Sequence, residues 1–160
     1  GRAWVRKTLD EIAKVERTPM GVEDLVIGTI CGGSDGTSGI SGNPAAGKAF
    51  DLLIGEGAAC IFEETGEMIS CEDIMAERAI TPELGEELRA AVQKAERYYD
   101  TLGFGSFAAG NAAGGLSTIE EKSLGAYVKS GDNKISGLMC PMAKSGLVFP
   151  TFPITPKLLK

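Results

Sequence analysis

The chain reads as an α/β protein, a three-layer Rossmann-like domain with a short parallel sheet and a βαβ core. Three observations predict this. Asp24–Cys31 (DLVIGTIC) and Ala58–Glu63 (AACIFE) are short apolar runs of strand length, the first rich in β-branched residues like a strand of a buried parallel sheet. Between them, Ala46, Ala49, Phe50 and Leu53 fall on one face of a helix-length segment. A glycine-rich loop, CGGSDGTSGISG from Cys31 to Gly42, joins the first run to that segment, the place where open α/β sheets gather their ligands.

The elements follow in order. Val5, Leu9, Ile12 and Ala13 recur at helical spacing, so residues 3–17 are expected to form an amphipathic helix ended by Thr18-Pro19. The first strand should be buried over Leu25–Ile30. Asn43-Pro44, an N-cap residue followed by proline, should open a helix over 44–54, with Gly55 as its stop. That helix crosses to a second strand over Ala59–Phe62, parallel to the first through a right-handed connection. Ser70 with Asp73 fits a capping box for a short helix to Ala79, and Thr81-Pro82-Glu83 caps a longer one. Its stripe is Leu84, Leu88, Ala91, Ala95, Tyr98 and Leu102, and Gly103 closes it. A second glycine-rich loop, GFGSFAAGNAAGG, runs to Gly115. Ser117 with Glu120, or Thr118 with Glu121, then caps a further helix, and 134–140 has the composition of a last strand. Residues 1–140 are thus expected as a single α/β domain, and 141–160 as an irregular C-terminal tail.

Composition excludes several functions. With 160 residues the chain has room for one core, and no apolar run approaches the roughly 20 residues that span a bilayer. A net charge of −6 works against an extended phosphate backbone, so nucleic acid is not an expected partner. The first segment mixes charges into its apolar residues and has no signal-peptide pattern. Four cysteines, at Cys31, Cys60, Cys71 and Cys140, match neither paired metal spacing nor a disulfide framework, and a cytoplasmic setting is the simplest expectation. Histidine is absent altogether, which removes from these residues any Ser-His-Asp triad, Cys-His pair or imidazole metal ligand.

What chemistry remains must come from carboxylates, thiols, hydroxyls, lysines and backbone dipoles. Cys31, Ser34, Asp35, Thr37, Ser38 and Asn43 all fall at the mouth of the first loop, where backbone N–H groups and a helix N-terminus favour an anion. The same loop could equally be a turn that needs glycine and small polar residues for its backbone angles. Gly42–Lys48 fits GxxxxGK, but Ala49 stands where a phosphate-binding loop needs Ser or Thr, so nucleotide binding is set aside. Glu63, Glu64 and Glu67 follow the second strand at the same sheet edge as Asp35. Brought together, they could bind a divalent cation or exchange a proton; apart, they form a solvated acidic turn. Glu120, Glu121 and Lys122 open a helix, where acidic residues also serve the cap and the dipole.

CGGSDGTSGISGNPAAGKAFDLLI, FEETGE and GNAAGGLSTIEEKSLGAYVKSG resemble, in this order, three blocks of the altronate/galactarate dehydratase family, which includes the large subunit of sulfolactate sulfo-lyase. GFGSFAAGN and EEKSLGAYVKSG are more similar to the sulfo-lyase subunits. The resemblance implies a lyase that removes a proton beside the carboxylate of a 2-hydroxy acid and expels a β-substituent, as sulfite from sulfolactate or as water from altronate or galactarate. It implies a divalent metal, Fe²⁺ first and Mn²⁺ second. On the matched positions Asp35, Glu64 and Lys122 are expected to be catalytic. Ser34, Thr37, Ser38, Asn43, Asn111, Gly114 and Gly115 are expected against the substrate, and Cys31, Glu63 and Glu120 around the metal. One site would then unite the loops. Expected partners are a small acidic metabolite, further domains or a small subunit of a larger enzyme, and further copies of the chain in a homo-oligomer. Family members are longer, and from Met139 this sequence departs from their pattern. The segment alone is therefore expected to be inactive; the alternative is a small-anion-binding or structural domain.

Overall fold

The computed structural model describes residues 1–103, 105–107, 109–138 and 152–154. Helix α1 (Arg2–Ile12) is shorter than the expected 3–17 and buries none of its residues. Trp4, Val5, Leu9 and Ile12 stay exposed, and without packing a helix has little beyond intrinsic propensity to extend it.

Strand β1 (Val26–Thr29) leads through the first glycine-rich loop to α2 (Gly42–Gly55), and β2 (Ala59–Phe62) returns beside β1. The two strands pair in parallel, Val26 opposite Ala59 and Thr29 opposite Phe62. This parallel pair with its connecting helix is the part of the predicted core that these residues display. Two details differ. Helix α2 starts at Gly42 after Ser41, ahead of the expected Asn43-Pro44 start, because Asn43 turns its amide to Gly125 O at 2.8 Å instead of capping. Strand β1 is not buried as predicted: Val26 is 66% and Ile30 67% exposed. Among the described residues it is the edge of the sheet, ordered β1-β2-β3, with one of its sides paired.

After β2 come α3 (Glu72–Ala76), α4 (Pro82–Leu102), α5 (Ala109–Ala113) and α6 (Ile119–Tyr127). The Ser70 capping box does not form, because Ser70 adopts a left-handed φ of 71° and Cys71 takes the N-cap position without a side-chain bond. Thr81 does cap α4, accepting from Leu84 N, and Gly103 ends it at φ 73°. Of the predicted stripe, Leu88, Ala91 and Ala95 are buried, whereas Tyr98 and Leu102 are exposed. At α6, Thr118 Oγ1 accepts from Glu121 N, and Glu121 Oε2 accepts from the backbone and hydroxyl of Ser117, so the second of the two capping readings is the one adopted.

The expected strand over 134–140 is reduced to a single parallel bridge between Ala79 and Ile135; 139 and 140 lie outside the described residues. Within the stretch expected as a tail, β3 (Phe152–Ile154) pairs antiparallel with β2, Ile61 opposite Pro153. An edge strand tolerates that proline, since it has a side free of ladder bonds. The rest of that stretch lies outside the described residues.

The core gathers Phe50 and Ile54 of α2, Cys60 and Phe62 of β2, Met68, Ile69, Met75, Leu88 and Val92, and closes on Ala126 and Ile135. Full burial of side chains of this size contributes about 1.5–3 kcal/mol each. Two features fix the segment after α6 to this core. Gly47 packs so closely on Val128 and Gly131 that a Cβ at this position would overlap the Val128 carbonyl oxygen. Arg78, buried and 5.2 Å above the Tyr127 ring, donates to Ser130 Oγ at 2.6 Å and to Asn133 O at 2.7 Å. Asp51 adds a further tie, accepting from Asp132 N and Asn133 Nδ2.

Candidate functional site

The site forms where β1 and β2 end. Cys31 follows the first strand, and alternation along the second decides which glutamate faces inward. Cys60 and Phe62 are buried, Glu63 is exposed, and Glu64 is fully buried again.

The first loop is organised around Asp35. Its Oδ1 accepts from Thr37 N, Thr37 Oγ1 and Ser38 N, and its Oδ2 from Ser38 Oγ at 2.9 Å. These hydrogen bonds, led by those of the Thr37 and Ser38 hydroxyls, hold the carboxyl at about 2. Ser34 takes a left-handed φ of 49° just before it, a conformation uncommon outside glycine. The second glycine-rich loop meets the first here: Gly36 N donates to Gly114 O at 2.9 Å, and a Cβ on Gly114 would lie 2.7 Å from Ser34 O. Only glycine permits that approach.

A cavity of about 350 Å³ opens between this loop and α6, lined by Cys31, Ser34, Asp35, Ser38, Asn43, Leu116, Glu121, Lys122, Lys129 and the neighbouring glycines. Lys122 Nζ lies 3.4 Å from Glu67 Oε1 and donates to Asn111 Oδ1 at 3.3 Å. Lys129, 7% exposed, donates to Glu64 Oε1 and to Cys31 Sγ. Burial would lower the Lys129 ammonium, but Glu64 and Cys31 outweigh it and hold it above its usual range. Burial pushes Glu64 up, with Cys31 and Lys129 pulling against it, and burial followed by Glu64 pushes up the Cys31 thiol. Glu64 Oε2 is buried and has no hydrogen-bond partner among the described residues.

Most of the residues expected at the site converge on this cavity. Cys31, Ser34, Asp35, Ser38, Asn43 and Lys122 line it; Glu64 and Asn111 hold its lysines; Gly114 and Gly115 pack against Gly36; Thr37 is turned to Asp35. Glu63 and Glu120 are exposed and do not join Cys31. Glu63 is on the outward side of the strand alternation, and Glu120 lies in the solvated first turn of α6, where its own backbone N–H and the Thr118 hydroxyl hold its carboxyl down. The acidic set that does surround Cys31 is Glu64 and Glu67, with one donor atom of each within 4.8 Å of the others. As arranged it does not fit a divalent metal: Lys129 occupies the Glu64 and Cys31 donors, and Lys122 lies beside Glu67. Sequence reading passed over Lys129. Its one signal is the seven-residue spacing from Lys122, which places both lysines on the same side of a helical run.

The relatives agree with this picture at the level of the family. Altronate dehydratase of Bacillus subtilis (strain 168) is 35% identical over 137 residues, 83% of this chain and 28% of that protein. Galactarate dehydratase (L-threo-forming) of Escherichia coli (strain K12) is 34% identical, over 91% of this chain and 29% of its own length. Subunit beta of (2R)-sulfolactate sulfo-lyase from Chromohalobacter salexigens is 34% identical, over 84% of this chain and 36% of its own. The chain thus spans about a third of the length of these relatives. Residues 22–155 match the family described as D-galactarate/Altronate dehydratase, C-terminal, and the chain belongs to that family of lyase-related domains.

Proposed function

We propose that this chain supplies the reaction centre of a lyase that eliminates a β-substituent from a small 2-hydroxy acid, working in the cytoplasm as part of a longer enzyme. The observation that carries the reading is the Cys31–Glu64–Lys129 cluster, whose Cys31 and Lys129 line the cavity and hold Glu64 behind them, a carboxylate and an ammonium together away from water. Such a pair can move a proton and meet negative charge where it develops, the two demands of elimination beside a carboxylate. In this reading Glu64, buried behind the cavity-lining Cys31 and Lys129, exchanges the proton of the carbon bearing the 2-hydroxyl by way of that pair. The electron pair left on that carbon forms the double bond as the bond to the β-substituent breaks, releasing water or sulfite, and the enol becomes the keto acid. Lys122 supplies a second positive charge for a substrate carboxylate. Ser34, Ser38 and Asn43 border the same space and offer polar contacts for its hydroxyls. Asp35, with both oxygens committed to the loop, shapes the mouth and does not exchange a proton near neutral pH.

The residues favour no one of the three relatives' substrates over the others. The test is to express the chain at the length of its relatives and assay altronate, galactarate and (2R)-sulfolactate in parallel. Turnover of one of them is the expected result; a stable full-length protein that turns over none would contradict the reading.

A further inference from the structure

Cys31, Glu64 and Glu67 present a sulfur and two carboxylate oxygens within 4.8 Å of one another, the arrangement of a cation site. The fold itself supplies the cation. Lys129 Nζ donates to Cys31 Sγ at 3.1 Å and to Glu64 Oε1, and its side chain is 8% exposed. The turn that carries it is pinned on both flanks. Gly47 packs against the Val128 carbonyl, and Arg78 grips Ser130 and Asn133. An ammonium has three donors, and among the described residues Lys129 uses two, leaving one on a side chain that lines the cavity.

We propose that Lys129 is the resident cation of this donor set. Its fixed positive charge meets an anionic oxygen of the bound acid, and it keeps a divalent metal from Cys31 and Glu64. One further observation fits: Lys122 lies beside the third residue, Glu67, at 3.4 Å, so each residue of the set has a lysine ammonium against it. A dication brought into the set would lie within a few ångströms of the Lys129 ammonium in a poorly solvated place, and the repulsion would expel one of the two. The proposal rests on the lyase reading only for the identity of the ligand; the charge arrangement is independent of it.

The test titrates Co²⁺ into the 160-residue chain, because a thiolate ligand gives Co²⁺ an intense near-ultraviolet charge-transfer band that reports Cys31 directly. The Lys129 ammonium is followed in parallel by ¹⁵N NMR. Wild type should show no Cys31-dependent band and keep its ammonium resonance. Lys129→Met should take up Co²⁺ with a band that Cys31→Ser abolishes, roughly 100-fold more tightly than wild type, since the metal relieves an otherwise unpaired buried carboxylate. Lys129→Arg, which keeps the charge, should behave as wild type. A Cys31-dependent band in wild type at the affinity of Lys129→Met would overturn the proposal, and so would a folded Lys129→Met that takes up no Co²⁺. If Lys129→Met does not fold, the wild-type titration decides. Loss of the ammonium resonance as a Cys31 band grows overturns the proposal, and an unchanged resonance without a band upholds it. No turnover is measured, so the outcome is separate from that of the lyase assay.

Discussion

The cavity has a rim and a floor, and one carboxylate serves each: Asp35 lines the rim, and Glu64 lies behind the floor that Cys31 and Lys129 form. At the rim Asp35 is exposed, accepts four hydrogen bonds from residues two and three positions away, and is held at about 2. Behind the floor Glu64 is fully buried, draws its partner Lys129 from 65 residues away, and is pushed up by burial. Two carboxylates are thus driven in opposite directions by their surroundings, and under the proposed function they divide the labour: one holds a loop, and the other exchanges a proton. The local cluster holds the loop, and the long-range one carries the proposed chemistry.

The comparison breaks most visibly at the floor. Lys129→Met leaves Glu64 buried without its partner, and a broken buried ion pair of this kind costs about 3–5 kcal/mol. Urea unfolding of the 160-residue chain should register a loss of that size. A variant as stable as wild type would mean that Glu64 is already neutral in the native protein.

Gly47→Ala comes next, since its Cβ would overlap the Val128 carbonyl oxygen and push away the turn that carries Lys129. Overpacking of this kind costs roughly 1–3 kcal/mol. The same variant should disturb the Lys129 ammonium resonance while sparing those of the first loop. Equal disturbance in both regions would show that rim and floor are one unit.

The rim gives the smallest effect. Asp35→Asn should leave global stability almost unchanged, because the group is exposed and its partners are local, and should mainly broaden the amide resonances of Thr37 and Ser38. The pH dependence has a definite sign. The folded value of about 2 lies below the ordinary 3.8, so the contribution of Asp35 to loop order is complete above 3.8 and disappears as pH falls toward 2. Loop amides that stay sharp in Asp35→Asn would show that the glycines and backbone contacts hold the rim unaided.

The same division explains what the sequence could reveal. The parallel strands, the connecting helix, the Thr81 cap and the Gly103 stop are written in neighbouring residues, and they are present. So is the loop chemistry, since Asp35, Thr37 and Ser38 act within a few positions of each other. The choice between Glu63 and Glu64 needed the exact end of β2, because one residue of register exchanges the inward and outward faces. Lys129 was further out of reach. Its role comes from Gly47, Asp51 and Arg78 converging on the 128–133 segment, and its spacing from Lys122 says nothing of its burial. The exposure of β1 was hidden for a related reason: an apolar run does not state whether its strand is central or at an edge.

The claim that the reaction centre is the floor is tested most directly by kcat in the full-length enzyme, once its substrate among the three acids is known. Lys129→Met, provided it is folded, should lose about 10²- to 10³-fold in kcat, the usual cost of removing a preorganised charge. Lys129→Arg should recover part of that loss. Asp35→Asn should keep kcat within about 10-fold of wild type and change KM instead, as expected for a group that binds and shapes but does not react. The opposite ranking, with kcat intact in Lys129→Met and abolished in Asp35→Asn, would contradict the account and move the chemistry to the rim.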